Sequence, residues 1–143
     1  MHVEKVLGDL GLTVITVPEQ RKPDGRFPTV EKPNPEEAPA LKMAIELAKK
    51  EKADAVMATD PDADRFGSAV PAANGEWVLI NGNQMGVLFT DYIIVSRKEL
   101  NKMPKNPAII RSIVTSPMVN YIAKAKKGIP ETASDWRSSS INL

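Results

Sequence analysis

The chain has 143 residues, of which 42% are hydrophobic and 26% are charged; this balance excludes a disordered chain and leaves room for one ordinary domain or for one domain and part of another. It has no cysteine, and 19 basic against 18 acidic side chains give a net charge of +1, which excludes disulfides and thiolate metal sites and provides no field that would attract nucleic acid. No apolar run approaches the roughly 20 residues of a membrane span, and the N-terminus lacks the pattern of a signal peptide, so we expect a cytoplasmic protein with no nucleic-acid or membrane partner.

The first part of the chain predicts a helix, a strand and a long loop. Apolar residues at helical spacing predict a helix over residues 3–10, and a β-branched run predicts a strand over residues 12–17. Six prolines between residues 18 and 39 forbid a continuous helix or a central strand, so we expect a connecting loop there. A helix should follow over residues 35–50, with Asn34 as its N-cap.

Strands and helices continue to alternate in the second part. Residues 53–58 predict a short strand, and two strands around the turn dipeptide Asn74-Gly75 predict a hairpin. The remaining predicted elements are a helix over 83–100, a strand over 108–114 and a helix over 117–127. This alternation predicts an α/β fold: a layered sheet with helices on both faces, mostly parallel strands and one hairpin after the acidic loop described next.

The acidic loop, residues 60–65, has the sequence Asp-Pro-Asp-Ala-Asp-Arg and directly follows a predicted strand. Its three carboxylates, Asp60, Asp62 and Asp64, would repel one another unless a cation lay between them. Ligands that are all oxygens favour a hard cation, magnesium or calcium, and the end of a strand in an α/β sheet is a usual place for a ligand. We therefore predict a metal site at the carboxylate triad, with Arg65 beside it as a cation suited to phosphate.

Two other interpretations of this loop fit less well. An EF-hand loop also begins Asp-x-Asp-x-Asp, but it needs a glycine where this chain has Arg65 and a glutamate where it has Pro71. A solvated acidic turn would explain one or two aspartates, but it does not readily explain three in alternation followed by an arginine.

With this loop, the chain resembles the α-D-phosphohexomutases, the family of phosphoglucomutase and phosphomannomutase. Three further stretches also resemble family segments and occur in the same order. They are Phe-Pro-Thr-Val at 27–30 with Pro-Asn-Pro-Glu at 33–36, Asn-Gly-Asn-Gln at 81–84, and Ile-Val-Thr-Ser at 113–116.

The resemblance implies a four-domain enzyme whose second domain supplies the metal loop. Residues 1–104 would be that domain without its first strand, residues 105–132 the start of the third domain, and residues 133–143 a disordered or non-native tail. The carboxylate triad would bind Mg2+, and Arg65 would lie near the phosphate of an active-site phosphoserine. That phosphoserine would exchange phosphoryl groups with a hexose phosphate through a hexose bisphosphate.

No catalytic residue is predicted in this chain. The family's catalytic serine has a Ser-His-Asn-Pro context that is absent here, and the single histidine is His2. The sugar-recognition and phosphate-binding loops of the later domains are absent too. We therefore expect a magnesium-binding fragment that is inactive without the remaining domains of the mutase and that does not reveal which sugar is used. The alternative is a stand-alone, non-catalytic metal-binding or interaction module with the same fold.

Overall fold

The computed structural model describes residues 2–126 and 131–133, with side chains for residues 3–126. The chain divides into two compact units, Met1–Ile80 and Asn81–Leu143. Among the helices that the structure describes, none combines the length and the apolar character that crossing a membrane requires.

The first unit contains three helices and a three-stranded sheet. The elements are α1 (His2–Asp9), α2 (Pro18–Arg21), α3 (Ala38–Glu51), β1 (Val56–Thr59), β2 (Phe66–Pro71) and β3 (Trp77–Ile80). The strand order is β1-β2-β3, and both pairs are antiparallel. The predicted hairpin between β2 and β3 is confirmed: its turn closes with the Gly75 N–H donating to the Ala72 carbonyl over 2.8 Å, and Gly75 has a φ of +81°.

Helix α3 packs its apolar side on one face of this sheet. Leu41 and Ala48 on the helix are buried together with Val56 on β1 and Ala69 on β2. Leu41 is 1% exposed, and burying a leucine side chain stabilises a fold by about 2 kcal/mol. This core fixes the strand that leads into the acidic loop and the strand that leaves it.

Helix α3 begins three residues later than its sequence pattern predicts. Asn34 is not its N-cap, because the helix starts after Glu37. A helix starting at Pro35 would need an N–H from Pro39 to reach the Pro35 carbonyl, and proline has no N–H. The Asn34 side chain instead accepts a hydrogen bond from the Glu36 N–H over 3.2 Å and donates one to the Glu37 carboxylate over 3.2 Å.

The segment ahead of α3, residues 32–37, lies directly against β2. Pro35 is buried, and a Cβ atom placed on Gly67 would lie 1.9 Å from the Pro35 carbonyl oxygen. Only glycine fits there, since real side chains do not approach so closely. This contact holds the 32–37 segment beside the strand that follows the acidic loop.

The second unit combines two packed helices with a short parallel strand pair. Its elements are α4 (Gly82–Glu99), β4 (Ile109–Arg111), α5 (Met118–Ala125) and β5 (Glu131–Ala133), and β4 pairs with β5. Ile94 on α4 and Ala123 on α5 are buried in one apolar cluster. Asn81 and Gln84 form a reciprocal capping box at the start of α4, which explains why the helix begins at Gly82.

The α/β class is confirmed, but the expectation of mostly parallel strands is not. Within the described residues, only β4 and β5 are parallel. The reason is the length of the acidic loop: six residues join β1 to β2, and a parallel crossover needs about a dozen or more. The predicted strand over residues 12–17 is wrong, because those residues join neither described sheet. The tail predicted over 133–143 lies, beyond Ala133, outside the described residues.

We expect Gly67→Ala to lower the free energy of unfolding by about 1–3 kcal/mol, the usual cost of overpacking, because the added methyl group must displace the Pro35 backbone. Urea denaturation followed by circular dichroism measures this change. Gly8→Ala is the matched control: a Cβ at Gly8 meets nothing within 4 Å, and alanine favours helix α1 by up to about 1 kcal/mol. A Gly67→Ala variant as stable as the Gly8→Ala variant would contradict the close contact.

Candidate metal site

The acidic loop reverses the chain between two neighbouring strands. Asp60 follows the last residue of β1, and Arg65 precedes the first residue of β2. Two hydrogen bonds close the loop: the Ala63 N–H donates to the Asp60 carbonyl over 3.2 Å, and the Arg65 N–H donates to Asp60 Oδ1 over 3.2 Å. Asp60 therefore organises the loop with its backbone and with its side chain.

The reversal requires an unusual backbone conformation at Ala63. Its φ is +59°, in the left-handed region, which costs a residue other than glycine roughly 1–2 kcal/mol. In an extended chain, residues four positions apart would be separated by about 13 Å. The turn at Ala63 is thus what allows Asp60 and Asp64 to approach each other.

The loop brings the three predicted carboxylates together. One oxygen each of Asp60, Asp62 and Asp64 lies within 4.8 Å of the other two. Ligands on opposite sides of one Mg2+ are about 4.2 Å apart, and those of one Ca2+ about 5 Å, so small rotations of exposed side chains suffice for a shared ion. The donor set, three carboxylate oxygens with no nitrogen or sulfur, fits a hard divalent cation.

The environments of the first and last aspartates differ. The Asp60 side chain is 10% exposed, whereas that of Asp64 is 69% exposed. Arg65 Nε lies 3.9 Å from an oxygen of each, so the guanidinium neutralises both only loosely. Sequence reasoning predicted Arg65 beside the triad, and it could not foresee this division between a shielded and a solvated carboxylate.

The same difference separates their acidities. Partial burial opposes the charge on Asp60, but hydrogen bonds from the Arg65 N–H and from Asp64, with the charge of Arg65, outweigh it and lower the pKa of Asp60. The pKa of Asp64 is raised, first by its side-chain hydrogen bond with Asp60 and then by the negative charges of Asp62 and Asp60. When no cation is bound, Asp64 therefore takes up a proton at a higher pH than Asp60 does.

A cavity of about 340 Å³ lies beside the loop. Its lining combines loop residues with the 32–37 segment and comprises Lys32, Pro33, Asn34, Glu37, Asp60, Pro61 and Arg65. Sequence reasoning did not place Lys32 or Glu37 at this site. The only available signal was the Pro-Asn-Pro-Glu stretch between them, which indicates a family segment but not its contact with the loop.

In the metal-free protein we expect Asp64 to titrate at higher pH than Asp60. Asp62→Asn should lower the pKa of Asp64 toward its ordinary value, because one of the neighbouring negative charges is removed. Carbon-13 NMR of the side-chain carboxyl groups measures both pKa values. Asp54→Asn, an exposed acid before β1, is the control and should leave them unchanged. If Asp60 took up its proton at the higher pH, the described hydrogen bonding would be wrong.

Comparison with known proteins gives a consistent answer. The family model described as phosphoglucomutase/phosphomannomutase, alpha/beta/alpha domain II, matches residues 1–74. The chain is 42% identical over 118 residues to the phosphoribomutase of Saccharomyces cerevisiae, a match that covers 80% of this chain and 19% of that protein. It is 43% identical over 108 residues to a probable phosphomannomutase of Haemophilus influenzae, covering 76% of this chain and 21% of that one.

A third relative is the human phosphopentomutase, 42% identical over 111 residues, with 75% of this chain and 18% of the relative covered. The chain thus spans about a fifth of the length of the curated relatives that it matches. No solved structure gave a significant match. The matched residues 1–74 include the whole acidic loop, and the chain belongs to the phosphoglucomutase/phosphomannomutase family.

Proposed function

We propose that this chain is the magnesium-binding part of a phosphohexomutase, which moves a phosphoryl group between positions of a hexose phosphate through an active-site phosphoserine. The observation that carries the proposal is the carboxylate triad, whose oxygens lie within 4.8 Å of one another in a segment that matches the second domain of the family. Residues 1–104 belong to that domain and residues 105–132 begin the next. A cytoplasmic location goes with this assignment.

Within the loop the residues have separate tasks. Asp60, shielded and held by the Arg65 N–H, fixes one ligand position before any ion arrives. Asp62 and Asp64 are exposed, and their side chains can rotate to provide the other two protein ligands of the metal. Asp60, Asp62 and Asp64 would hold the Mg2+, which would supply neutralisation of the charge on a transferring phosphoryl group.

Arg65 supplies the neighbouring positive charge. Its guanidinium is close to the triad but not within hydrogen-bond distance of it, so its donors are available to a phosphate oxygen. Phosphoryl transfer depends mainly on positioning and charge stabilisation, and this chain contributes to both. The remaining domains of the mutase supply the phosphoserine. The hexose phosphate and the hexose bisphosphate bind from solution.

We expect weak magnesium binding by this chain, with a Kd around millimolar, because three aspartates leave half of an octahedral shell to water. Phosphate should tighten it by supplying a further ligand near Arg65. Titration calorimetry with and without phosphate measures both affinities. Asp62→Asn should weaken magnesium binding at least tenfold by removing one charged ligand, whereas the matched control Asp54→Asn should not.

Two results would contradict this proposal in different ways. Equal magnesium affinity of the Asp62→Asn and Asp54→Asn variants would show that the triad is not the metal site. Submicromolar binding without any anion would show a complete site within the loop and would favour the stand-alone metal-binding module.

The 143 residues alone should not turn over a sugar phosphate, because the motif of the phosphoryl-carrying serine is not among them. A coupled assay with glucose 1-phosphate, a bisphosphate primer and Mg2+ should remain at background. Turnover that is present in the unaltered chain and lost in the Asp62→Asn variant would overturn the assignment as an inactive part of the enzyme.

A further inference from the structure

We infer that Lys32 joins Arg65 in an anion subsite in the cavity beside the acidic loop, and that Lys32 contacts the phosphate group of a phosphate monoester there once the triad carries a divalent cation. The phosphate contact of Arg65 and the dependence on the cation rest on the function proposed above. Lys32 has no part in the metal site itself, and it lies far from the loop in sequence.

The geometry places two positive side chains around one cavity. Arg65 comes from the acidic loop and Lys32 from the 32–37 segment, and both line the same 340 Å³ space. Lys32 makes no ion pair or hydrogen bond with the other residues that the structure describes. Its ammonium group therefore has all three donors available, and an oxyanion in the cavity is a ligand that both cations can share.

The backbone that carries Lys32 is held in place. Pro35 is buried against Gly67, and the Asn34 side chain bridges the Glu36 N–H and the Glu37 carboxylate. The Glu37 carboxylate, which lines the cavity, thus accepts a hydrogen bond from Asn34. These contacts hold the 32–37 segment against β2, so that Lys32 has only its side chain to order when an anion binds.

The charges around the cavity set an order of binding. Asp60 and Glu37 line the cavity with Lys32 and Arg65, and Asp62 and Asp64 lie beside Asp60. Four carboxylates against two side-chain cations leave the metal-free site with an excess of two negative charges, which repels an anion. A divalent cation on the triad cancels this excess. The two side-chain cations then attract the anion with no net negative charge opposing them. Bound metal therefore raises the affinity for the anion, and bound anion raises the affinity for the metal.

The cavity volume is consistent with a phosphate group and part of the molecule that carries it. The phosphate chemistry has two possible sources, a phosphoserine side chain or a sugar phosphate. Inorganic phosphate probes the shared chemistry, and O-phosphoserine and glucose 1-phosphate distinguish the sources.

The test is calorimetric titration of inorganic phosphate into the chain at constant ionic strength, with magnesium saturating or absent. With magnesium, Lys32→Gln should weaken phosphate binding roughly fivefold, the scale of one partly exposed charge contact. Its magnesium affinity in phosphate-free buffer should stay within about twofold of the unaltered chain, since Lys32 is not a metal ligand. Lys42→Gln, an exposed lysine on α3 outside the cavity lining, is the matched control and should change neither affinity.

Each outcome decides a separate point. Normal magnesium binding with equal phosphate affinity in the Lys32→Gln and Lys42→Gln variants overturns the subsite and leaves the proposed function standing. Phosphate binding of equal strength without magnesium overturns the order of binding. If the unaltered chain binds no magnesium, the proposed function and the cation-dependent subsite fail together. O-phosphoserine and glucose 1-phosphate are then compared. The one whose affinity falls more in the Lys32→Gln variant identifies the source of the phosphate.

Discussion

Six residues connect β1 to β2, and within them the chain must reverse direction while carrying three carboxylates. This constraint determines most of what is distinctive about the first unit. It forces an antiparallel pairing, it requires the left-handed backbone at Ala63, and it brings negative charges together that would otherwise lie far apart. The loop tolerates this arrangement because Asp60 is held by backbone hydrogen bonds and Arg65 stands nearby.

Elements with strong local signals could be predicted from the sequence. The hairpin at Asn74-Gly75 follows from the dihedral freedom of Gly75, and helix α4 follows from apolar residues at helical intervals. The capping box that starts α4 at Gly82 was seen only in the structure. The strand predicted over residues 12–17 failed because a β-branched run becomes a strand only where a partner is available for pairing. The expectation of mostly parallel strands failed because the alternation of helices and strands does not reveal which strands are neighbours in the sheet.

The candidate site was predictable in composition but not in context. The alternating carboxylates and the family resemblance predict Asp60, Asp62, Asp64 and Arg65, because three clustered carboxylates repel one another unless a cation lies between them. Nothing in the spacing shows that Asp60 is shielded while Asp64 is solvated, since that depends on the fold around the loop. Lys32 was invisible to this reasoning for the same reason: its proximity results from the contact of Pro35 with Gly67.

That contact has a consequence for how the cavity assembles. The loop and its two strands are continuous in sequence, so β1, the acidic loop and β2 can form from local contacts at a small entropic cost. The 32–37 segment that carries Lys32 meets β2 across a much longer stretch of chain, where the Pro35 backbone lies against Gly67. We therefore expect the 32–37 segment to open in local unfolding events that leave the carboxylates assembled, and the two sides of the cavity to differ in their protection against hydrogen exchange.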